Sequence, residues 1–295
     1  EPEDGGDSRS SPHAGQAFQP GELLPLSHYR VIERVGAGSM GEVYRAEDVD
    51  LKRQVALKFI SQECLGDRDR LTRFQREAEV LAALDHPAIA AIYGLGEAGG
   101  RRFLVLEFVE GEPLSARLAR GPLRPSEAFD LCAHVADALA VAHQKGIVHR
   151  DIKPEHVWIR KDGRIKVLDF GLARIVTPCG ESGADHRTSR PGLILGTSSY
   201  MSPEQASGRP VDCRTDIWAL GCLLFECLTG SRAFQRDSAV QTLRAVLEDD
   251  PDWTALPERL PPRVGALIRR CLRKDPDDRW QNGRDLGDEL RWLAA

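Results

Sequence analysis

Long apolar runs are scarce in this chain of 295 residues. The longest, Ile217 to Leu228, is interrupted by Gly221 and Glu226, so no segment supplies the roughly 20 apolar residues that a membrane-spanning helix needs. Charge of one sign is lacking too. A formal net charge of -5 is mild and gives no reason to expect a nucleic-acid or membrane-surface partner. The cysteines number seven, an odd count with no C-x-x-C pair, scattered from Cys64 to Cys271. That pattern argues against a disulfide scaffold or a zinc site and fits small buried apolar residues in a reducing compartment. The chain also starts at Glu1 rather than Met, as a segment excised from a longer protein would. What it does have is 41% hydrophobic content, enough to bury a substantial core in one large domain or in two lobes.

Composition changes along the chain. Residues 1–26 are rich in Gly, Ser, Pro, Asp and Glu and poor in large apolar groups, so they are expected to form a disordered tail. From Tyr29 to about Val109 the pattern is short β-type runs: Tyr29 to Val35, Val43 to Ala46, Val55 to Ile60, Ala90 to Tyr93 and Phe103 to Phe108. One helical stretch, about Arg68 to Leu84, interrupts them with an apolar stripe of Phe74, Ala78 and Leu81. After Gly111 the chain turns helical. Ser126 to Gly146 carries apolar residues at three- and four-residue steps, with Ser126 placed to cap and Gly146 to stop the helix. Asp216 to Thr229 is nearly all apolar and ends at Gly230, which predicts a helix buried on all sides.

Several motifs lie on this framework. Gly36-Ala37-Gly38-Ser39-Met40-Gly41-Glu42-Val43 fits G-x-G-x-x-G-x-V between two strands, where missing side chains let backbone N–H groups approach phosphate oxygens. A dinucleotide-binding turn would open a helix at its third glycine, and the β-branched and aromatic Val43-Tyr44 that follow disfavour one. In the next strand, Lys58 shares a face with Ala56 and Ile60. Such a lysine needs an anionic partner or an exit to solvent. Glu77, on the apolar side of the following helix, is expected to pair with it and aim the ammonium at nucleotide phosphates. Further on come His149-Arg150-Asp151-Ile152-Lys153-Pro154-Glu155-His156, then Asp169-Phe170-Gly171, then Gly196-Thr197 and Ser202-Pro203-Glu204. Each is weak alone, but their order and spacing make chance agreement negligible.

On these residues the region from Tyr29 to Leu293 resembles a eukaryotic-type (Hanks-type) serine/threonine protein kinase domain, with the wording from Gly196 to Gln205 similar to bacterial receptor-like kinases. The resemblance implies an α+β bilobal protein kinase fold. A small β-rich N-lobe with one regulatory helix would span about 29–109, a hinge about 107–112, and a larger, mainly helical C-lobe about 113–293. It further implies ATP and Mg²⁺ or Mn²⁺ as cofactors, protein substrates, a cytoplasmic location and membrane-anchored flanking sequence. Asp151 would accept the substrate hydroxyl proton, and Lys153 would steady the transferring phosphoryl group. With Thr197, Lys153 marks the serine/threonine type. Lys58, paired with Glu77, would hold the phosphates. Val35, Gly36, Ala37, Gly38, Ser39, Met40, Gly41 and Val43 would cover ATP, with Ala56 and Trp158 against adenine, Leu106 as gatekeeper, and Glu107 and Val109 offering backbone hydrogen bonds. Asp169 would bind the metal. Arg150 beside Asp151 implies control by activation-loop phosphorylation, with Thr188 and Ser189 the preferred sites and Thr177 and Ser182 the weaker ones. His149, Phe170 and Leu81 would stack as an internal spine, Asp216 would tie down the catalytic loop, and Arg279 would pair with Glu204.

Two residues depart from the family pattern. His156 stands where an Asn ordinarily gives a hard oxygen to magnesium, and imidazole nitrogen suits softer ions. Trp158 stands where the adenine floor usually carries Leu or Met. Three accounts fit His156: a slower kinase that tolerates Mn²⁺, a pseudokinase acting as a nucleotide-binding scaffold or switch, or a histidine turned away from the metal. Retention of Lys58, Glu77, Asp151, Lys153 and Asp169 favours an active enzyme, because a scaffold needs none of them.

Overall fold

The computed structural model describes residues 17–25, 27–38, 41–61, 68–170 and 198–295. Most of the expected tail, Ser39, Met40, Cys64, Gly171, Thr177, Cys179, Ser182, Thr188, Ser189, Gly196 and Thr197 lie outside the described residues. The chain divides into two compact units, residues 1–82 with 91–108, and residues 83–90 with 109–295. The short segment 83–90, expected with the β-rich lobe, thus belongs to the helical unit.

The smaller unit is built on an antiparallel five-stranded sheet in the order β1-β2-β3-β5-β4. Its strands are β1 (Tyr29–Gly38), β2 (Gly41–Asp48), β3 (Arg53–Ile60), β4 (Ile92–Ala98) and β5 (Arg101–Glu107). Helix α1 (Arg68–Ala82) follows β3. It buries Phe74, Ala78 and Leu81, the stripe that three- and four-residue spacing predicts. The strand expected at Ala90 to Tyr93 forms two residues later, because Ala90 instead donates to the Val167 carbonyl within the other unit.

Alternation in β3 sends Val55, Leu57 and Phe59 to one face, where they join Val31, Tyr44, Phe103 and Val105 in the core. Phe59 meets Phe103 with ring centroids 5.0 Å apart and Phe18 also at 5.0 Å. Phe18 and Leu24 are buried members of this cluster, so the expected tail ends too late. A few large apolar groups suffice, since burying one such side chain is worth about 1.5–3 kcal/mol. Lys58 lies on the other face of β3 from this aromatic cluster, yet is only 7% exposed.

The larger unit is mainly helical. It contains β6 (Gly111–Pro113), α2 (Leu114–Leu118), α3 (Pro125–Gln144), β7 (Val157–Arg160), β8 (Ile165–Val167), α4 (Pro203–Ala206), α5 (Arg214–Thr229), α6 (Ala239–Glu248), α7 (Pro262–Cys271) and α8 (Gly283–Ala294). Strands β6, β7 and β8 form a small antiparallel sheet. Helix α3 is not capped by Ser126: it starts one residue earlier, at Pro125, behind an Arg124 that makes no side-chain cap. Proline suits a first helical turn because its missing N–H would have no helical acceptor there. Helix α5 buries every residue from Thr215 to Leu228 and stops at Gly230 in the left-handed region, as the sequence predicts. Cys132, Cys213, Cys222, Cys227 and Cys271 are free thiols. Among the described residues no helix is long and apolar enough to cross a membrane.

Candidate active site

In the larger unit the segment from His149 to His156 is held from below by one carboxylate. Asp216, in the first turn of α5 and fully buried, accepts the backbone N–H groups of His149 and Arg150, each at 2.8 Å. His143 Nε2 donates to the same carboxylate at 2.7 Å. Arg150 carries φ 68°, a left-handed value costly for a side chain this large, so the surrounding bonds must over-determine it. A second tie comes from Gln205 Nε2, which donates to the Arg150 carbonyl at 2.8 Å.

His149 is wholly buried. Its Nε2 donates to the Leu168 carbonyl at 2.9 Å, and its ring meets Phe170 edge-on with centroids 4.6 Å apart. Burial pushes its pKa below the ordinary histidine value, which keeps the ring neutral. Two members of the expected spine therefore touch within this unit.

The catalytic candidates follow directly. Lys153 Nζ donates to Asp151 Oδ2 at 2.9 Å, placing a cation against the carboxylate proposed as base. His156 faces the same loop: its Nδ1 bonds the Asp151 carbonyl at 2.7 Å, and its Nε2 stands 3.7 Å from Asp169 Oδ2. His156 is thus aimed at Asp169, the carboxylate expected to bind metal, which removes the account in which it turns away. Asp169 also has positive φ, 62°. Trp158, on β7, is paired across the small sheet with Pro113 and Lys166.

Below the loop, Glu204 and Arg279 form the expected pair, bidentate at 2.8 Å for both bonds and buried. Thr215 adds a hydrogen bond to Glu204 at 2.7 Å, and Ser202 bonds Thr215 at 2.7 Å. Burial alone would raise the Glu204 pKa, but the bonds from Arg279 and Thr215 outweigh it and hold the carboxyl below its ordinary value. Tyr200 donates to Glu226, buried in the last turn of α5.

In the smaller unit the glycine motif is the β1–β2 hairpin, with Gly38 paired to Gly41. Gly41 has φ 131°, and a Cβ there would lie 1.8 Å from the Phe59 carbonyl oxygen, so no other residue fits without displacing β3. Gly36 differs, since a Cβ there would meet nothing within 4 Å. Val35 is half exposed. Val43 pairs with Lys58, and Lys58 with Leu104. Ala56 pairs with Leu106. Glu77 sits on α1 beside Ala78 and is partly buried. The Glu107 N–H donates to the Ala91 carbonyl at 2.8 Å. Val109 is buried and is the first residue of the second stretch of the larger unit.

Three contributors were missed in the sequence. They are His143, Gln205 and Thr215, of which only Gln205 lies within a motif. Nothing in their local spacing signals a shared anchor, because their partners are distant in the chain.

Residues 29–285 match the family model described as the protein kinase domain. The chain belongs to that family. It is 38% identical over 271 residues to the serine/threonine-protein kinase PknB of Mycolicibacterium smegmatis, covering 89% of this chain and 42% of the relative. It is 40% identical over 281 residues to the serine/threonine-protein kinase pkn2 of Myxococcus xanthus, covering 92% and 33%. Among solved structures, the Mycobacterium tuberculosis PknI kinase domain superposes with TM-score 0.73 at 28% identity, covering 94% of this chain and 100% of that one. The chain therefore has the kinase fold, a β-rich unit and a larger helical unit, and spans less than half the length of these two curated relatives.

Proposed function

We propose that this chain is an ATP-dependent protein serine/threonine kinase. The observation that carries the reading is the Asp151–Lys153 contact at 2.9 Å on a loop pinned to buried Asp216. A carboxylate so held accepts the proton of a substrate Ser or Thr hydroxyl as its oxygen bonds to the γ-phosphorus. The bond from that phosphorus to the β-phosphate oxygen breaks, and ADP leaves. Lys153 offsets charge on the transferring group, and Thr197 completes the serine/threonine pattern.

Lys58 and Glu77 pair to hold the α- and β-phosphates. The backbone from Val35 to Gly41, with Val43, covers them, and the open space at Gly36 suits a phosphate brought close to the chain. Ala56, Leu106 and Trp158 enclose adenine, while the Glu107 carbonyl and the Val109 backbone bond its edge. Asp169 supplies an oxygen for a divalent cation, Mg²⁺ or Mn²⁺, whose bound charge stabilises the phosphates. Thr188 and Ser189 are the autophosphorylation sites. The use of ATP and the free thiols suit the cytoplasm, with a membrane anchor in flanking sequence.

The test is phosphate transfer from labelled ATP to a generic basic protein and to the chain itself, with sites mapped by mass spectrometry. Asp151→Asn is expected to lower transfer by about 10²- to 10⁴-fold with unchanged circular dichroism. Full transfer in that variant, or none in the native chain with either cation, overturns the reading.

A further inference from the structure

We infer that His156 is an inner-sphere nitrogen ligand, so that the cation position at Asp169 selects a borderline transition-metal ion over Mg²⁺. The inference rests on the kinase reading for the presence of a cation but stands on its own geometry. A backbone carbonyl can only accept, so the bond from His156 to the Asp151 carbonyl at 2.7 Å requires the proton on Nδ1. In the neutral ring the lone pair is then on Nε2, the atom 3.7 Å from Asp169 Oδ2.

An imidazole whose distal N–H is spent on a carbonyl while its other nitrogen stands beside a carboxylate is the arrangement that orients metal-ligating histidines. At 3.7 Å the two atoms are too far apart to hydrogen-bond directly, yet one ion can touch both. Donors on a tetrahedral ion with bonds of about 2.1 Å stand about 3.4 Å apart. Neighbouring donors on octahedral Mg²⁺ stand about 2.9 Å apart. The observed separation is nearer the first. No third His, Cys, Asp or Glu completes a cluster among the described residues, which leaves the other positions to water or phosphate oxygens.

Nitrogen ligation favours Mn²⁺, Co²⁺ and Zn²⁺ in rising order, whereas Mg²⁺ prefers oxygen. This chain therefore binds Co²⁺ and Zn²⁺ at a position where, of the two side chains, Asp169 alone offers Mg²⁺ oxygen.

The test uses Mn²⁺ and Co²⁺ as probes on the whole chain, with and without ADP. Spin-echo modulation of bound Mn²⁺ is expected to show coupling to an imidazole nitrogen in the native chain and none in His156→Asn. Titration with Co²⁺ should give a dissociation constant about tenfold or more weaker in that variant, with no weakening for Mg²⁺. Absence of nitrogen coupling in the native chain, or equal Co²⁺ affinity in both proteins, overturns the inference. Phosphate transfer is measured separately. Transfer without nitrogen coupling sinks this inference and leaves the kinase reading intact, and coupling without transfer does the reverse.

Discussion

The catalytic loop of the larger unit and the glycine hairpin of the smaller one both carry expected phosphate chemistry, but they are held in different ways. The loop is fastened by side chains to its backbone: Asp216 takes two of its N–H groups, Gln205 takes a carbonyl, and His149 reaches the Leu168 carbonyl. Those bonds can hold left-handed backbone at Arg150 and Asp169. The hairpin is held by its strand ladder, with two bulges in β1, by core side chains such as Val31 and Tyr44, and by ion pairs of Glu42 with Arg34 and Arg101. Segments held by buried bonds open at a higher cost than exposed backbone near a sheet edge. The loop proposed to move protons is thus held by buried polar side chains, and the hairpin proposed to cover a nucleotide mainly by its ladder.

Removing an anchor should break this contrast most strongly. Arg279 is fully buried against Glu204, so Arg279→Ala leaves an uncompensated carboxylate and is expected to cost about 3–5 kcal/mol, read as a shift in the urea midpoint of the larger unit. Replacing both partners, as Glu204→Gln with Arg279→Met, should recover most of that loss. A single variant with native stability would show that the Glu204–Arg279 anchor is dispensable. Glu204 also sets an acid limit. Its folded pKa lies below the ordinary value of 4.5, so its contribution is complete above that pH and fades as pH falls toward the folded value. Arg279→Ala should flatten that acid limb.

The hairpin offers a sharper test with two glycines of one motif. Gly41→Ala puts a methyl 1.8 Å from the Phe59 carbonyl oxygen at φ 131° and should destabilise the smaller unit by about 1–3 kcal/mol. Gly36→Ala meets nothing and should change stability by less than about 0.5 kcal/mol. If phosphate approaches Gly36, that variant nonetheless raises KM for ATP. Loss of stability at Gly36, or none at Gly41, would reverse the assignment of the two glycines.

How much of this was readable from the sequence follows the same division. The stripe on α1, the all-buried α5 and the alternation in β3 are local patterns, and each appears as its spacing predicts. The anchors are legible only as far as a family resemblance names them: Asp216 and Arg279 carry motif signals, whereas His143 and Thr215 bond to Asp216 and Glu204 from positions that no local period marks. Phe18 was lost for a related reason, because a single aromatic in a polar segment looks like tail until the core that receives it is known. The commitment of the Glu107 N–H to Ala91 comes from the late start of β4, and strand ends are where propensity says least.

A subtler effect separates the two regions by pH. His149 is kept neutral by burial, with its folded pKa below 6.5. The unfolded chain takes up the proton first, so stability falls as pH drops through 6.5 toward the folded value. His149→Tyr removes that titration and should flatten the thermal midpoint of the larger unit between about pH 7 and pH 5. The residual slope there comes in part from His86, also held down by burial. An unchanged slope would mean that other groups dominate this range.

The smallest effect is expected at the hairpin surface. Glu42 sits between Arg34 at 3.1 Å and Arg101 at 2.6 Å. Burial pulls its pKa up, but the two guanidinium bonds outweigh that and hold it below the ordinary value. Arg34 is 53% exposed, whereas Arg101 is only 14% exposed and lies over the Phe59 ring at 4.8 Å. Water and salt screen the Arg34 contact, so Arg34→Ala should cost less than about 1 kcal/mol and nothing measurable in high salt. Arg101→Ala should cost more and keep its effect in salt, because it also strips apolar contact from the core ring. Equal, salt-sensitive losses at both arginines would make the hairpin an electrostatic structure and erase the distinction drawn between it and the catalytic loop.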